Sequence, residues 1–416
     1  FVTVYDENER LHLFSISKDE WDNTKSGKLI STFTQRIDDL FEKTKQAYKD
    51  IFDADDRIRI TTIALGFTIN KLQNIALLNS AQDVKGLAFQ KFLSHHEKDR
   101  NGQFFTPEPV IDFCTEILQP KFNETIIDPA CGSGGFLMSV LKYVQTNCKN
   151  FSGNKFISKN IYGLEINKSI ARIARMKLLL EANSKINIYC TNALEDLDSL
   201  KLSISFSNGF DLILTNPPFG AKITNASTLS KFDLGYKWKF INNEFHKTKT
   251  LHTNQNVEIL FIERCLQLLK EGGKVGIVLP NGSLENPSLE YLRYYIKSKA
   301  KILAIIRLPQ ETFIPFGTGV KTSLLFLKKH TSNKVNQYPI FFGKISKLGY
   351  QGNKSGTPIY KKDQHGKIMK DNLGKLIIDE DFSVVLKSYK TFQKDSKIEN
   401  ENTFCITNEE LNGRFD

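Results

Sequence analysis

Between residues 100 and 330, short uninterrupted apolar runs alternate with amphipathic stretches, and this alternation leaves the chain few folds to choose from. The apolar runs are 125–129, 160–164, 186–190, 210–215, 274–279, 302–307 and 322–327, with helical periodicity over 135–144, 169–180, 257–269 and 289–299. A strand that is apolar on successive residues is covered on both faces, and strands separated by helices pair in parallel. The expectation is a doubly wound α/β domain with a mostly parallel sheet of about seven strands, with ligands outside the strand carboxyl ends.

The flanks read differently. Alternation over 1–17 suits a strand or hairpin near Asp6–Asn8, and helical spacing follows from Ile30 to Tyr48, over 61–78 and over 83–93. Residues 1–95 are therefore expected to form a small, mainly helical N-terminal domain, with the α/β domain over 96–330. Residues 331–416 read as a Lys-, Gly- and Asn-rich C-terminal extension with a hairpin around 338–345 and a helix near 380–391; 145–159 reads as a polar loop, and the chain reads as free of internal repeats. No apolar run reaches the roughly 18–20 residues of a membrane helix. The six cysteines show no CxxC or Cys/His spacing, which argues against a disulfide framework or a metal site and for a reducing cytoplasm. The 57 Lys and Arg against 46 Asp and Glu give a net charge of +11, compatible with a nucleic-acid partner without establishing one. The chain opens on Phe1, which reads as a fragment or a trimmed chain.

Four segments carry chemistry. The first, Ile126-Ile127-Asp128-Pro129-Ala130-Cys131-Gly132-Ser133-Gly134-Gly135, runs from a strand through a glycine turn into a helix, where free N–H groups can meet a ligand; on its own it also suits a dinucleotide enzyme or a bare tight turn. The second, Gly163-Leu164-Glu165, ends the next strand on a carboxylate placed for ribose hydroxyls, 37 positions after Asp128 rather than the roughly 20 of a dinucleotide fold. The third, Thr215-Asn216-Pro217-Pro218-Phe219, is the most specific. Two prolines remove two donors and fix the chain direction, which leaves acceptors and a flat ring for a flipped base with an exocyclic amine. The fourth, Gln103-Phe104-Phe105-Thr106-Pro107-Glu108, reads as a helix start with Thr106 as N-cap and Pro107 in the first turn, which puts Phe104 and Phe105 at the cleft mouth.

In this order the four segments resemble the adenine-N6 DNA methyltransferases of restriction–modification systems, nearest to the modification (M) subunit of type I systems and to fused restriction–methylation enzymes, in the gamma motif order. The resemblance covers roughly 60–330 firmly and 330–416 loosely, and implies a class I S-adenosylmethionine methyltransferase fold of Rossmann-like form. It implies that Gln103, Phe104, Phe105, Thr106, Pro107 and Glu108 line S-adenosylmethionine. Asp128, Ala130, Ser133, Gly134 and Gly135 would hold its methionine end, Glu165 its ribose, and Asn192 with Ala193 its adenine, where many relatives carry Asp in place of Asn192. Asn216 and Pro217 would bind the target N6 amine, with Pro218 completing the motif and Phe219 stacking on the base. The segment 311–316 resembles a second aromatic wall supplied by Phe313 or Phe316, with Phe313 preferred.

The 220–256 insertion mixes Lys231, Lys237 and Lys239 with Phe232, Tyr236, Trp238 and Phe240, which suits either a DNA-phosphate lid or aromatics packed on the core. Neither a phosphate loop nor a nuclease cluster is visible, and Arg414-Phe415-Asp416 resembles the point where fused relatives begin a target-recognition domain. Double-stranded DNA, a specificity subunit or fused domain and a restriction subunit are the implied partners, in the cytoplasm. An RNA or protein-glutamine methyltransferase and a cofactor-holding DNA scaffold are the competing readings.

Overall fold

In the computed structural model all seven apolar runs are strands of one sheet. They are β1 (Ile126–Asp128), β2 (Ile161–Glu165), β3 (Asn187–Cys190), β4 (Phe210–Thr215), β5 (Leu269–Pro280), β6 (Ala300–Arg307) and β7 (Thr322–Lys329), in the spatial order β3-β2-β1-β4-β5-β7-β6. Strands β3 through β5 pair in parallel, and β7 runs antiparallel between β5 and β6. The structure describes residues 5–6, 11–28, 31–49, 51–74, 105–148, 153–182, 187–196, 209–331, 337–396, 399–411 and 415.

Among the described residues the sheet has ten strands rather than seven. Strand β8 (Pro339–Lys344) lies parallel to β6, and β10 (Thr403–Thr407) and then β9 (Glu399–Asn400) follow it antiparallel. The hairpin expected over 338–345 is thus a single strand, whose partners lie more than 30 residues away on either side. Ile340 and Phe341 are fully buried there, and the surrounding lysines and glycines hid the run. The expected loop over 145–159 also holds a helix, Gly153–Asn160, which buries Phe156 and Ile157.

Helices α1 (Glu108–Leu118), α2 (Gly135–Asn147), α3 (Gly153–Asn160), α4 (Lys168–Ala182), α5 (Val257–Leu268), α6 (Glu290–Lys299) and α7 (Phe382–Asp395) accompany the sheet. Ile127, Leu164, Ile213, Leu260, Ile277 and Leu292 belong to one buried cluster between strands and helices. Each such side chain contributes roughly 1.5–3 kcal/mol on burial.

The chain divides into two compact units, Phe1–Asp99 with Arg175–Glu181 and Arg100–Ala174 with Ala182–Asp416. In the first, helices Lys18–Lys25, Ser31–Ala47 and Thr62–Leu72 enclose Ile16, Phe33, Ile37 and Ile69. Ser17 and Glu20 form a reciprocal capping box at the first of these helices, and Arg36 grips both oxygens of Glu20. Tyr5–Asp6 pairs antiparallel with Leu11–His12. The helix expected over 61–78 ends at Leu72, and the one expected over 83–93 lies outside the described residues.

Gly163 in β2 shows how tightly the strands and helices meet. A Cβ there would lie 2.6 Å from Ile188 Cδ1, 2.9 Å from Cys131 Sγ and 3.0 Å from Leu137 Cδ1. Gly163→Ala is therefore expected to destabilise the chain by about 1–3 kcal/mol, as overpacking does. Urea melts check this, with a lowered midpoint at unchanged m-value the expected outcome.

Candidate active site at the carboxyl edge of the sheet

Strand β1 lies beside β4, and the chain moves from β1 toward β2 and β3 on one side and from β4 toward β5 on the other. This divergence opens a crevice at the carboxyl ends, the usual ligand position in such sheets. Four strand ends deliver residues to that edge: Asp128 from β1, Glu165 from β2, Asn192 and the apolar Ala193 after β3, and Asn216 after β4.

Asp128 is buried, and its Oδ1 accepts from Ala130 N at 3.0 Å. The turn that follows passes through Gly132 (φ +52°) and Gly134 (φ +81°), left-handed positions that cost an L side chain roughly 1–2 kcal/mol. Gly134 caps α2 with no side-chain hydrogen bond, so the first amides of a 13-residue helix remain open to a ligand. A Cβ on Gly132 would meet nothing within 4 Å, so that side of the turn faces open space. Ser133 sits half-buried between the two glycines, and Gly135 begins the helix.

Glu165 ties the turns together. Its Oε2 accepts from Gly132 N at 3.1 Å and its Oε1 from Asn167 N at 2.7 Å. Burial raises the affinity of the Glu165 carboxyl for its proton, opposed by these backbone donors. Burial, helped by the negative charge of Glu165, pushes Asp128 up to about 7. Two buried carboxylates beside an open helix N-terminus suit a ligand that brings a cation, hydroxyls and an anion together. The residues present therefore fit S-adenosylmethionine, with its ammonium, ribose diol and carboxylate.

Asn216 has its orientation set from outside its own loop. Its Nδ2 donates to Thr106 Oγ1 at 2.9 Å, while its buried Oδ1 finds no hydrogen-bond partner among the described residues. Thr106 is thus not the N-cap expected of it: Pro107, in extended conformation, holds that position, α1 begins at Glu108, and the threonine hydroxyl serves Asn216. Pro217 is buried, Pro218 exposed and Phe219 half-buried. Phe105 lies half-buried just before Thr106, and Glu108 is exposed; Gln103 and Phe104 lie outside the described residues.

Phe313 meets Phe219 edge to face, with ring centroids 6.3 Å apart and planes at 85°. With 0% of its surface exposed, Phe313 has no free face for a base as it stands and buttresses Phe219 instead; Phe316 is only half-buried. Asn192 spends its carboxamide locally, accepting from Leu194 N at 3.0 Å and donating to Glu195 Oε1 at 3.4 Å, above the buried Ala193.

The 220–256 insertion is an anchored hairpin, Tyr236–Ile241 against Glu244–Leu251, turned at Asn242 and Asn243 with φ of 49° and 65°. Phe232 is buried and Trp238 stacks on Tyr291 at 6.4 Å, so these aromatics pack inward while Lys237 and Lys239 face solvent. The buried Glu263 holds its root by accepting from Asp233 N and Leu234 N at 2.7 and 2.8 Å.

Sequence reasoning missed two features. One is the Thr106–Asn216 bond, which spans 110 residues. The other is Glu258, buried in the first turn of α5 with its proton affinity raised by burial and Oε2 unpartnered among the described residues. Its signal was a lone carboxylate within the apolar run Val257–Leu260.

A family model described as N-6 DNA Methylase matches residues 80–405. The type I restriction enzyme EcoEI methylase subunit of Escherichia coli is 28% identical over 295 residues, covering 70% of this chain and 55% of that protein. The chain thus spans about half the length of this curated relative. A type I restriction–modification methyltransferase subunit from Streptococcus thermophilus superposes with a TM-score of 0.62 at 18% identity, covering 98% of this chain and 79% of that one. A structure described as explaining complex assembly and conformational transition of the type I R-M system gives 0.65 at 19%, covering 99% and 78%. At these identities the two structures establish the fold.

Asp128 makes folding pH-dependent. It ionises near pH 3.9 in an unfolded chain but near pH 7 here, so the folded state keeps a proton that the unfolded state has released. The stability conferred by the protonated carboxyl is complete below about pH 4 and is lost as pH rises through about 7. Asp128→Asn is expected to flatten that decline, measured by denaturant melts at a series of pH values.

Proposed function

This chain belongs to the N-6 DNA methylase family, and from that membership we propose that it transfers a methyl group from S-adenosylmethionine to N6 of a flipped adenine in DNA. It would act as the catalytic core of the modification component of a restriction–modification system. The observation that carries this reading is the Asn216 carboxamide, with its nitrogen held by Thr106 and its buried oxygen left without a donor among the described residues.

S-adenosylmethionine supplies, when bound, a methyl group on a sulfonium. The protein's part is to hold it and to shape the acceptor. Glu165 accepts ribose hydroxyls with the lone pairs left over from its bonds to Gly132 and Asn167. Asp128 faces the ammonium, whose charge draws the carboxyl toward its ionised form and offsets its burial. The open amides at the start of α2 receive the methionine carboxylate. Adenine N6 is a poor nucleophile because its lone pair is delocalised into the ring. When Asn216 Oδ1 and the Pro217 carbonyl accept its two hydrogens, the nitrogen turns pyramidal and its lone pair faces the methyl group. So held, the nitrogen would take the methyl group that the cofactor supplies in line with its carbon–sulfur bond, which would break as the new bond forms, and the excess proton would leave the nitrogen for solvent. Phe219 stacks on the base from a position braced by Phe313. This is catalysis by alignment and fixed dipoles, with no strong base required.

Double-stranded DNA is the substrate on this reading. A specificity subunit or fused domain and a restriction subunit are the partners on this reading, in line with the name "methylase subunit" borne by the relative, and the cytoplasm is the proposed setting. Among the described residues, no helix is long and apolar enough to cross a membrane. Family membership favours DNA over RNA or a protein glutamine as the acceptor.

Asn216→Ala is expected to keep its affinity for S-adenosylmethionine and to lose methyl transfer by about 100-fold or more, as when a preorganised polar contact is removed. Thr106→Val should lower turnover by about tenfold at unchanged cofactor affinity, the worth of one hydrogen bond, and Thr106→Ser should restore it. Radiolabelled methyl transfer to DNA, with the specificity partner supplied, reads both. Substantial transfer by Asn216→Ala would remove the role assigned to it.

A further inference from the structure

Contrary to the expectation of no internal repeat, the chain contains a short one that its lysine-rich composition conceals. Lys362-Asp363-Gln364-His365-Gly366-Lys367-Ile368 and Lys370-Asp371-Asn372-Leu373-Gly374-Lys375-Leu376 share one pattern, Lys-Asp-x-x-Gly-Lys-aliphatic. They also fold alike. Asp363 Oδ1 accepts from the amides of His365 and Lys367 at 2.9 and 3.0 Å, and Asp371 Oδ1 accepts from those of Leu373 and Lys375 at 2.9 Å each. Gly366 and Gly374 both adopt φ +79°. Backbone bonds from Met369 N to Lys361 O and from Ile377 N to Met369 O lash the two turns into one tongue, 2.9 and 3.1 Å long respectively. Every residue from 362 to 376 is exposed, so the tongue stands clear of the core and owes its shape to these turns.

Its position follows from the sheet. Strand β6 runs antiparallel to β7, which runs antiparallel to β5, so β6 and its parallel neighbour β8 end on the same edge as Asn216. The tongue leaves from that end of β8. Its foot rests on the segment that carries Phe313: Tyr350 Oη donates to Thr312 O at 2.8 Å, and a Cβ on Gly352 would lie 2.3 Å from that of Glu311.

Its charge is one-sided. Residues 354–375 carry six lysines and two aspartates, a net +4. Both aspartates are engaged in the turns. Lys362, Lys367, Lys370 and Lys375 are exposed and pair with no carboxylate among the described residues.

We propose that this twin-turn tongue is a clamp for the phosphate backbone of duplex DNA beside the flipped base. The inference rests on the methyltransferase reading: a duplex that delivers a base to the carboxyl edge must lie along that edge, within reach of the tongue. Four ammonium groups that pair with no carboxylate among the described residues then displace counterions from backbone phosphates. The contact is sequence-independent and positions the duplex rather than reading it.

The test replaces the four lysines together, Lys362→Gln, Lys367→Gln, Lys370→Gln and Lys375→Gln, leaving the turn aspartates and glycines intact. Fluorescence anisotropy of a labelled non-specific duplex is followed against salt, with S-adenosylmethionine affinity measured alongside. The expected result is a slope of log affinity against log salt that is shallower by about 3, with at least a tenfold loss at low salt and unchanged cofactor binding. A slope and affinity equal to wild type overturn the clamp, as does a wild-type chain that shows no salt-dependent duplex binding. If the variant keeps its DNA affinity but loses association with a specificity subunit, the exposed aliphatics such as Leu373 mark a protein face and the clamp is again overturned. A wild type that binds duplex but no S-adenosylmethionine counts against the methyltransferase reading and leaves the tongue result standing.

Discussion

A parallel sheet covered on both faces leaves its polar side chains one outlet. Ile126, Ile127, Leu164, Ile213 and Leu214 are fully buried, and the chain turns polar only where each strand runs out. Asp128, Glu165 and Asn216 therefore converge on one edge because the apolar runs that precede them permit no other place. The same burial sets their electrostatics. Asp128 and Glu165 hold their protons more tightly than free carboxyls because their charges are poorly solvated, and at Asp128 the negative charge of Glu165 adds to this. Such a pair is poised for a ligand that arrives with positive charge.

The second constraint is orientation. A free asparagine amide can present either end, and the two ends have opposite hydrogen-bonding sense. Here Thr106 takes the nitrogen, so the oxygen is the end left over. The loop ahead of α1 thus does more than line a pocket, since it holds the nitrogen end of Asn216 while the oxygen has no partner among the described residues. Phe313 does the corresponding work for Phe219 by holding its ring from the edge. Both supports come from segments distant in sequence.

What could be read from the sequence was what has strong local meaning. Continuous apolar runs marked the seven inner strands, glycines marked the β1–α2 turn, and the two prolines marked the loop after β4. What depended on distant partners was not legible. Strand β8 is held by residues 300–307 and 403–407, and its own run is short and flanked by lysines. The bond from Asn216 to Thr106 has no local signature, and Thr106 followed by Pro107 looks like an ordinary helix start until the hydroxyl's partner is known. Phe313 and Phe316 lie three residues apart on a tight helix, so spacing alone could not say which ring is buried. The aromatics of the insertion divide the same way: Phe232 goes inward and Phe240 stays exposed, a choice made by the underlying helices.

The central claim is that the carboxyl edge holds S-adenosylmethionine through Glu165 and the glycine turn. Calorimetric titration of the purified chain with S-adenosylmethionine, wild type against Glu165→Ala, tests it most directly. Saturable one-to-one binding by the wild type, lost by the variant while it remains folded, is the expected result. Equal affinity in the two proteins, or no binding by a well-folded wild type with and without its specificity partner, would contradict it.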